Sequence, residues 1–150
     1  SLLILLWVQN EVDMDAFHKN GRHLYQVYEQ QHFDNKINGQ YYTPGVLSAE
    51  LKRTIPEVQY AVNAVFYDEH NFKVGDKILK LQGGSADADF FKMFSYPLIQ
   101  GKAENSLRTV SDISISKKMA EEFFGSAQAA MGKTVRIDNR KSFIVTSVFE

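Results

Sequence analysis

The sequence predicts an α+β fold with mixed and antiparallel sheets and three to four short helices. Helical and strand-like patterns interleave without the regular spacing of β-α-β units, which argues against a parallel α/β sheet. Turn-forming pairs at Gly75-Asp76 and Asn139-Arg140 separate strand-like segments and predict antiparallel hairpins. The chain has 150 residues, of which 44% are hydrophobic. This is enough to build a buried core in one domain, or in two small subdomains that share a core.

The charge and cysteine content exclude several classes of function. A net charge of −1, without clustered Lys and Arg, argues against nucleic-acid binding. The chain has no cysteine, which excludes thiol catalysis, Cys-ligated zinc and disulfide bonds. Cysteine-free chains occur in oxidising and reducing compartments alike, so this count leaves the location open.

An almost unbroken apolar run occupies residues 1–8. It is too short to cross a bilayer, which takes about 20 helical residues. Three interpretations compete: a buried strand, the end of a signal peptide, and the last turns of a transmembrane helix. No positively charged segment precedes the run and no small-residue cleavage site follows it, which disfavours the signal peptide. Trp7 lies at the polar end of the run, where membrane helices are enriched in tryptophan.

The next segment predicts a helix, a strand and a loop. Asp13 is placed to cap a helix that runs to Leu24, because apolar residues then recur at helical spacing. Weak alternation predicts a strand over residues 25–33. A polar segment with an Asn-Gly pair predicts a turn or loop over residues 34–42.

A second helix is predicted to begin at Thr43-Pro44, because proline favours the first helical position. Pro56 ends it, since the residue before a proline avoids the helical conformation. Its buried stripe consists of apolar residues spaced four apart, namely Leu47, Leu51 and Ile55.

The middle of the chain predicts strands and one short helix. Alternation is clearest over residues 58–67, and residues 72–82 form two short strands around the Gly75-Asp76 turn. Gly83-Gly84-Ser85 predicts a flexible break. A short helix over residues 89–94 follows, with Asp87 or Ser85 as its cap, and Pro97 and Gly101 interrupt the chain beyond it.

The last third gives the strongest local signals. Ile113 and Ile115 mark a short strand, and Ser116 caps a helix over residues 117–124 that Gly125 ends. The inward side chains of this helix are Met119, Ala120, Phe123 and Phe124.

A hairpin closes the sequence. It begins at Gly132 and pairs residues 134–138 with residues 142–149. In the last strand, alternate side chains share one face, namely Phe143, Val145, Ser147 and Phe149.

The histidines do not have the spacing of a metal site. His18 and His23 lie about 140° apart around a helix axis. His32 falls in a strand and His70 in a loop, and no pair has the i, i+4 spacing of a helical zinc site. The pattern is typical of surface or capping histidines.

Two carboxylate pairs occur at predicted helix starts, Asp13 with Asp15 and Asp87 with Asp89. A carboxylate there satisfies free amides at the positive end of the helix dipole, so capping explains both pairs better than acid–base catalysis. Acidic residues after Gly83-Gly84-Ser85 disfavour a phosphate loop, and no Gly-x-Ser-x-Gly motif is present.

Two further groups have an ordinary structural interpretation. Lys117-Lys118 is typical of a solvated helix face. An aromatic cluster fits either a ligand platform or a core stripe, and its helical spacing favours the core; its members are Phe90, Phe91, Phe94 and Tyr96. The sequence therefore predicts no catalytic, cofactor-binding or metal residues, and the partner-binding residues are unknown.

Four segments resemble the MacB-type periplasmic core domain, the extracytoplasmic insert of FtsX-like ABC transporter permeases. Residues 12–27 resemble the Asp-x-Phe-His-x-Asn signature that follows the first transmembrane helix in Bacteroidetes-type members. Residues 86–101 resemble the Phe-Phe and Pro-Leu block of the same proteins. Residues 113–124 and 132–134 match the pattern that comes next, so the resemblance covers most of the chain in order.

The resemblance implies a domain division and a role. Residues 1–10 are then the end of a transmembrane helix, and residues 11–150 are a core domain with porter-like and sabre-like subdomains. The family insert is usually longer, so a closing C-terminal segment is expected. The implied role is non-catalytic coupling of membrane-helix motion to a substrate or partner, on the periplasmic side of the bacterial inner membrane.

The resemblance also implies partners. These are an ABC ATPase subunit or domain, a periplasmic adaptor or other envelope protein, and a second copy in the full transporter. Branches of the family serve macrolide efflux, lipoproteins, peptides or the control of cell-wall hydrolases. No cofactor and no nucleic acid is implied. A free-standing extracytoplasmic module that binds a ligand or peptide is the alternative, and a hydrolase with an unrecognised site is a third.

Overall fold

The computed structural model describes residues 18–33, 36–40 and 43–150. The chain divides into two compact units, Ser1–Ala61 and Val62–Glu150. The predictions for residues 1–10 and for Asp13 and Asp15 lie outside the described residues. No helix among the described residues is long and apolar enough to cross a membrane.

The described part of the first unit begins with a 3-10 turn at Gly21–His23. Residues 24–28 that follow it have no regular structure, so the predicted helix does not reach Leu24 as an α-helix. A glycine in a helix interior costs about 1 kcal/mol relative to alanine, which disfavours continuing a helix through Gly21.

A two-stranded antiparallel sheet follows, formed by β1 (Glu29–Phe33) and β2 (Lys36–Gln40). The strand predicted over residues 25–33 is present in its second half. The loop predicted over residues 34–42 is wrong where the structure describes it, because β2 occupies that segment. Pairing with β1 along five residue pairs outweighs the turn preference of the Asn-Gly sequence.

Helix α1 (Leu47–Thr54) is the helix predicted before Pro56. It begins three residues later than Pro44, whose carbonyl instead accepts a turn hydrogen bond from the Leu47 amide at 2.9 Å. Ile55 follows it in an extended conformation, as expected before a proline. Leu47 and Leu51 are half-buried, whereas Ile55 is exposed, so the predicted stripe is only partly covered.

The second unit is a curled mixed sheet of six strands. Its strand order is β4-β3-β7-β8-β5, and β6 pairs with β8. Within this fully described unit the β6–β8 pair is parallel and the other strand pairs are antiparallel. The strands are β3 (Ala64–Val74), β4 (Lys77–Ala86), β5 (Leu98–Gln100), β6 (Asp112–Ser116), β7 (Thr134–Ile137) and β8 (Lys141–Phe149).

The β3–β4 hairpin turns at Gly75-Asp76, as predicted, and Gly75 has a φ of 57°. The strand predicted over residues 58–67 is wrong in its bounds. Residues 58–63 have no regular structure and β3 starts at Ala64, because the pairing with β4 begins there. His70, predicted in a loop, therefore lies within β3.

The flexible break predicted at Gly83-Gly84-Ser85 is also wrong, because these residues lie within β4. A Cβ built on Gly84 would lie 2.2 Å from the carbonyl oxygen of Val65. At the same place β3 has a bulge between Phe66 and Asp68. Glycine is therefore required by the close approach of the two strands and is not a sign of flexibility.

Three α-helices belong to the second unit: α2 (Phe90–Met93), α3 (Lys117–Phe124) and α4 (Ala127–Ala130). Helix α3 has the predicted bounds and caps. The Ser116 hydroxyl accepts a hydrogen bond from the Met119 amide at 3.2 Å, and Gly125 ends the helix with a φ of 83°. Met119 and Ala120 are buried as predicted, and Phe123 and Phe124 are half-buried. The sequence did not predict α4, nor strand β5.

The terminal hairpin of β7 and β8 is confirmed. Its alternation is interrupted, because β8 carries one extra residue between Val145 and Ser147 in its pairing with β6. Ser147 and Val148 are consequently both fully buried. The core between the sheet and helices α3 and α4 consists of Phe72, Ile115, Met119, Ala120, Ala130, Val135, Val145 and Val148.

Candidate functional site: a groove between two sheet edges

A groove of about 1000 Å³ opens in the second unit. Strand β3 lines it with every second residue, namely Phe66, Asp68, His70 and Phe72. Strand β6 lines it with all five of its residues, and β4 with the consecutive residues 81–86. Neighbouring side chains of a strand point to opposite faces of the sheet. A strand that lines a groove with every second residue therefore presents one face to it, whereas a strand that lines it with consecutive residues presents an edge. Strand β3 therefore presents a face to the groove, and β4 and β6 present edges.

Strands β4 and β6 each have a single partner strand. Strand β4 pairs only with β3, and β6 only with β8, among the residues that the structure describes; the short strand β5 likewise pairs only with β8. The sheet curls until β4 and β6 border the same groove. Helix α3 closes one end of the gap between β4 and β6. There Lys77 of β4 donates a hydrogen bond to the carbonyl oxygen of Glu122 on α3 at 2.6 Å.

Aromatic rings form one end of the groove. Phe90 contacts Phe66 edge to face at 5.8 Å and stacks on Tyr96 at 5.6 Å, both between ring centroids. Phe91 is buried and contacts Phe149 at 6.3 Å. The predicted aromatic cluster is thus divided: Phe91 packs in the interior, whereas Tyr96 remains 42% exposed. Phe66, which is 48% exposed, was not part of the predicted cluster; it comes from β3, and no short-range pattern connects it with the other rings.

The charged side chains that line the groove are acidic, apart from a histidine. They are Asp68, Asp112 and His70, and no Lys or Arg is among the described residues that line it. Asp68 is exposed and makes no ion pair within the described part of the chain. The carboxylate of Asp112 accepts hydrogen bonds from the hydroxyl and the amide of Thr109, at 2.7 and 2.9 Å.

The environment of Asp112 keeps it ionised. Burial raises the pKa of this carboxyl, but the hydrogen bonds from Thr109 and Arg108 and the charge of Arg108 outweigh burial. Its pKa therefore lies below the ordinary value of an aspartate. Together with Asp68, it places two carboxylates in the wall of the groove.

His70 and Asp138 form a pair that sequence reasoning missed. The Nδ1 atom of His70 lies 2.7 Å from Oδ2 of Asp138, which the chain places 68 residues away. The other carboxylate oxygen accepts a hydrogen bond from the Asn71 amide at 2.8 Å. These bonds fasten β3 to the β7–β8 turn at the point where β3 leaves β7. First the Asn71 amide, and then His70, lower the pKa of Asp138.

The predicted carboxylate pair Asp87 and Asp89 does not converge on one site. Asp87 Oδ2 accepts a hydrogen bond from the Asn63 amide at 2.8 Å, and Asp89 pairs with Lys92 at 2.8 Å. Asp89, and neither Asp87 nor Ser85, occupies the N-cap position of α2, and its side chain makes no cap hydrogen bond. The capping interpretation is therefore wrong for this pair, because the Asp87 carboxylate bonds an amide 24 residues away and the Asp89 carboxylate pairs with Lys92 three residues later.

The remaining predicted groups are not among the described residues that line the groove. His18 is buried and His23 is exposed, both in the first unit, and the His32 side chain is outside the described residues. Lys117 and Lys118 are exposed as predicted. Among the residues described here, no cluster of three or more His, Asp or Glu side chains is placed to hold a metal ion.

The chain is similar to known proteins in both sequence and fold. The family model of the MacB-like periplasmic core domain matches residues 1–150. A domain assigned to a permease protein of Porphyromonas gingivalis superposes with a TM-score of 0.57 and 24% identity, covering 69% of this chain and 48% of that chain. The periplasmic region of MacB from Actinobacillus actinomycetemcomitans gives a TM-score of 0.50 and 16% identity, covering 68% and 50%.

The structural matches at these identities show a shared fold, and the chain spans about half the length of both solved structures. No curated protein matches the chain in sequence. The family match covers the whole chain and agrees with the fold, so the resemblance read from the motifs is confirmed. The family consists of periplasmic domains of transporter permeases, which places the domain in the cell envelope. It is not a known enzyme class. This chain belongs to the MacB-like periplasmic core domain family of ABC transporter permeases.

Proposed function

We propose that this domain couples the motion of membrane helices to a substrate or partner outside the bacterial inner membrane, without catalysing a reaction itself. The observation that carries the proposal is the family match over residues 1–150. In this proposal residues 1–10 are the end of a transmembrane helix and residues 11–150 are the extracytoplasmic core. ATP is hydrolysed by a separate ATPase subunit or domain, and two copies act together in the full transporter.

The packing of the second unit supports a mechanical role. A domain that transmits motion has to move as a stiff body, and close-packed cores transmit strain with little compression. Here a continuous core joins the sheet to α3 and α4. The Lys77–Glu122 and His70–Asp138 contacts fasten the β3–β4 hairpin to the rest of the unit at two places. Rigid units of this kind move relative to one another by hinge or shear motions.

Distance measurements in the full-length permease with its ATPase test the coupling. The chain has no cysteine, so labelling sites can be introduced into it cleanly. Spin labels at Lys52 on α1 and Lys80 on β4 report on the two units, and a control pair at Lys80 and Lys133 reports within the second unit. All three residues are exposed.

We expect the Lys52–Lys80 distance distribution to change between the nucleotide-free and ATP-bound states, while the Lys80–Lys133 distribution stays the same. Unchanged distributions for both pairs contradict the coupling proposal. A change in the control pair alone contradicts the idea of a stiff second unit.

The groove favours a second candidate function, a free-standing extracytoplasmic module that binds a ligand or peptide. The flanking gene sequence distinguishes the two. A complete apolar span that ends near Val8 and three further spans of about 20 residues beyond Glu150 support the permease. A signal cleavage site before Ser1 and a stop codon soon after Glu150 support the free-standing module.

A further inference from the structure

We propose that the gap between β4 and β6 binds an extended segment of a partner protein by strand addition, and that this segment alternates apolar residues and carries a Lys or Arg. The inference rests on the proposed function in one respect: the proposed function supplies the idea that the domain contacts a partner protein outside the inner membrane. Three independent features of the groove carry it: strand edges without a partner among the described residues, exposed rings, and two carboxylates in its wall.

The strands at both borders of the gap each have an edge without a partner strand in the part of the chain that the structure describes. Strands β4 and β6 each have one partner strand among the described residues, and their other edges face the groove. An unpaired edge exposes a row of amides and carbonyls that another strand can satisfy. Strand β6 has five residues, which at about 3.4 Å per residue matches an added strand of five to seven residues.

The glycines of β4 leave room for such a strand. Gly83 and Gly84 lie in the part of β4 that borders the groove, so no side chain from these two positions covers the backbone. A lone strand edge is usually protected by charged or bulky side chains. The residues of β4 at this border are instead uncharged, and three of the six are Gly or Ala: Leu81, Gln82, Gly83, Gly84, Ser85 and Ala86.

The ends of the groove supply sites for apolar side chains. Phe66 and Tyr96 flank Phe90 at one end, and Val110 at the rim is 84% exposed. Because every second side chain of an added strand points to the same side, apolar residues at alternate positions contact the rings and aliphatic groups inside the groove. The intervening side chains point to solvent.

The charge of the groove selects a basic residue in the partner. Asp68 and Asp112 line the groove, and no Lys or Arg is among the described residues that do. An acidic partner segment would be repelled, whereas a Lys or Arg gains an ion pair and a cation–π contact with nearby rings.

The binding test uses the purified chain and fluorescent seven-residue peptides, measured by anisotropy. The probe alternates Val and Thr and carries one Lys in place of a Val, so that the Lys points to the groove side, where Asp68 and Asp112 lie. We expect saturable binding with a Kd below about 1 mM. There are two control peptides. The first has the same composition as the probe, with its Val residues grouped together. The second has the same sequence as the probe, with the backbone amides N-methylated at alternate positions. Both lose binding by at least about tenfold, because they remove the alternation and the strand hydrogen bonds respectively.

A variant pair tests the charge. Asp68→Asn weakens the Lys probe about two- to fivefold, as expected for an exposed ion pair, and leaves a probe without Lys unchanged. Asp76→Asn, at the exposed β3–β4 turn, is the matched control and leaves both probes unchanged. Hydrogen exchange adds a positional readout, since strand addition protects amides of β4 or β6.

Four results overturn the proposal: no saturable binding of the probe, equal binding of the N-methylated peptide, no exchange protection in β4 or β6, or occupation of the groove by a second copy of this chain, detected by sedimentation. None of these four results bears on the coupling proposal, which is tested separately by the spin-label distances in the full permease. Failure of the coupling proposal, in turn, leaves peptide binding unaffected.

Discussion

Asp138 joins two segments of the second unit through one carboxylate, which lies 2.7 Å from Nδ1 of His70 and 2.8 Å from the amide nitrogen of Asn71. The amide of Asp138 in turn donates to the carbonyl of Asn71 at 2.9 Å. The aspartate continues the β3–β7 pairing beyond the end of β7. Its partner His70 is also one of the β3 residues that line the groove.

This relationship predicts how stability depends on pH. The native pKa of Asp138 is depressed, so the unfolded chain binds its proton at a higher pH than the folded chain does. The stabilisation is present above the ordinary aspartate pKa of about 3.9 and is lost as the pH falls through the lower native pKa. We expect Asp138→Asn to lower the urea midpoint at pH 6 and to make its fall between about pH 5 and pH 3 shallower.

Asp76→Asn is the control for that measurement, since Asp76 lies at an exposed turn. Asp112 also has a depressed pKa, so some acid sensitivity remains in the Asp138 variant. A slope identical to that of the wild type between pH 5 and pH 3 would show that the Asp138 pair does not contribute.

Gly84→Ala is predicted to destabilise the protein far more than Gly83→Ala. A Cβ at position 84 would lie 2.2 Å from a backbone oxygen of the paired strand, which cannot move without disrupting β3. At position 83 the nearest atom is a ring carbon of Phe72 at 3.2 Å, which can shift slightly. We expect a loss of about 2–4 kcal/mol for Gly84→Ala and about 1 kcal/mol or less for Gly83→Ala. Urea unfolding measures both, and equal effects would contradict the assigned close approach.

Ser116→Ala is predicted to destabilise the protein by about 1 kcal/mol, because it leaves the Met119 amide without its cap. Ser116→Asp retains an acceptor at the same position and should recover most of the loss. Thermal unfolding of the three proteins is the measurement. If Asp does not rescue Ala, the hydroxyl acts through a contact other than the cap.

Ile115→Ala is predicted to cost about 2–5 kcal/mol, since this side chain is 2% exposed and lies within the core cluster. Ile115→Val should cost only about 0.5–1.5 kcal/mol. Val110→Ala is the surface control, because Val110 is 84% exposed, and it should change stability by less than about 0.5 kcal/mol. Comparable losses at positions 110 and 115 would contradict the location of the core.

The predictions from sequence were best where a residue specifies the structure of neighbours only a few positions away, as caps and turn residues do. Ser116 and Gly125 bound α3 as expected, because the hydroxyl satisfies an amide three residues away and glycine adopts a positive φ without strain. Gly75-Asp76 placed the hairpin turn correctly for the same reason. The motifs at residues 12–27 and 86–101 combine many such positions, and they indicated the family that the match over the whole chain confirms.

The errors arose where distant pairing overrode a local preference. The Asn-Gly pair at positions 38 and 39 favours a turn, yet the strand partner holds it extended. Gly83 and Gly84 resemble a flexible linker in sequence, but they serve the close approach of β4 to β3. Local sequence does not record which strand will lie opposite, so the physical role of a glycine cannot be read from it.

The sequence by itself therefore determined the α+β class, the best-capped helix, the hairpin turns and the family. Only the tertiary structure decided the groove, because the curl of the sheet brings the unpaired edges of β4 and β6 to the same opening. It also decided the His70–Asp138 pair and the ring contact between Phe66 and Phe90. Those contacts join residues from 24 to 68 positions apart, and their formation depends on strand order and register.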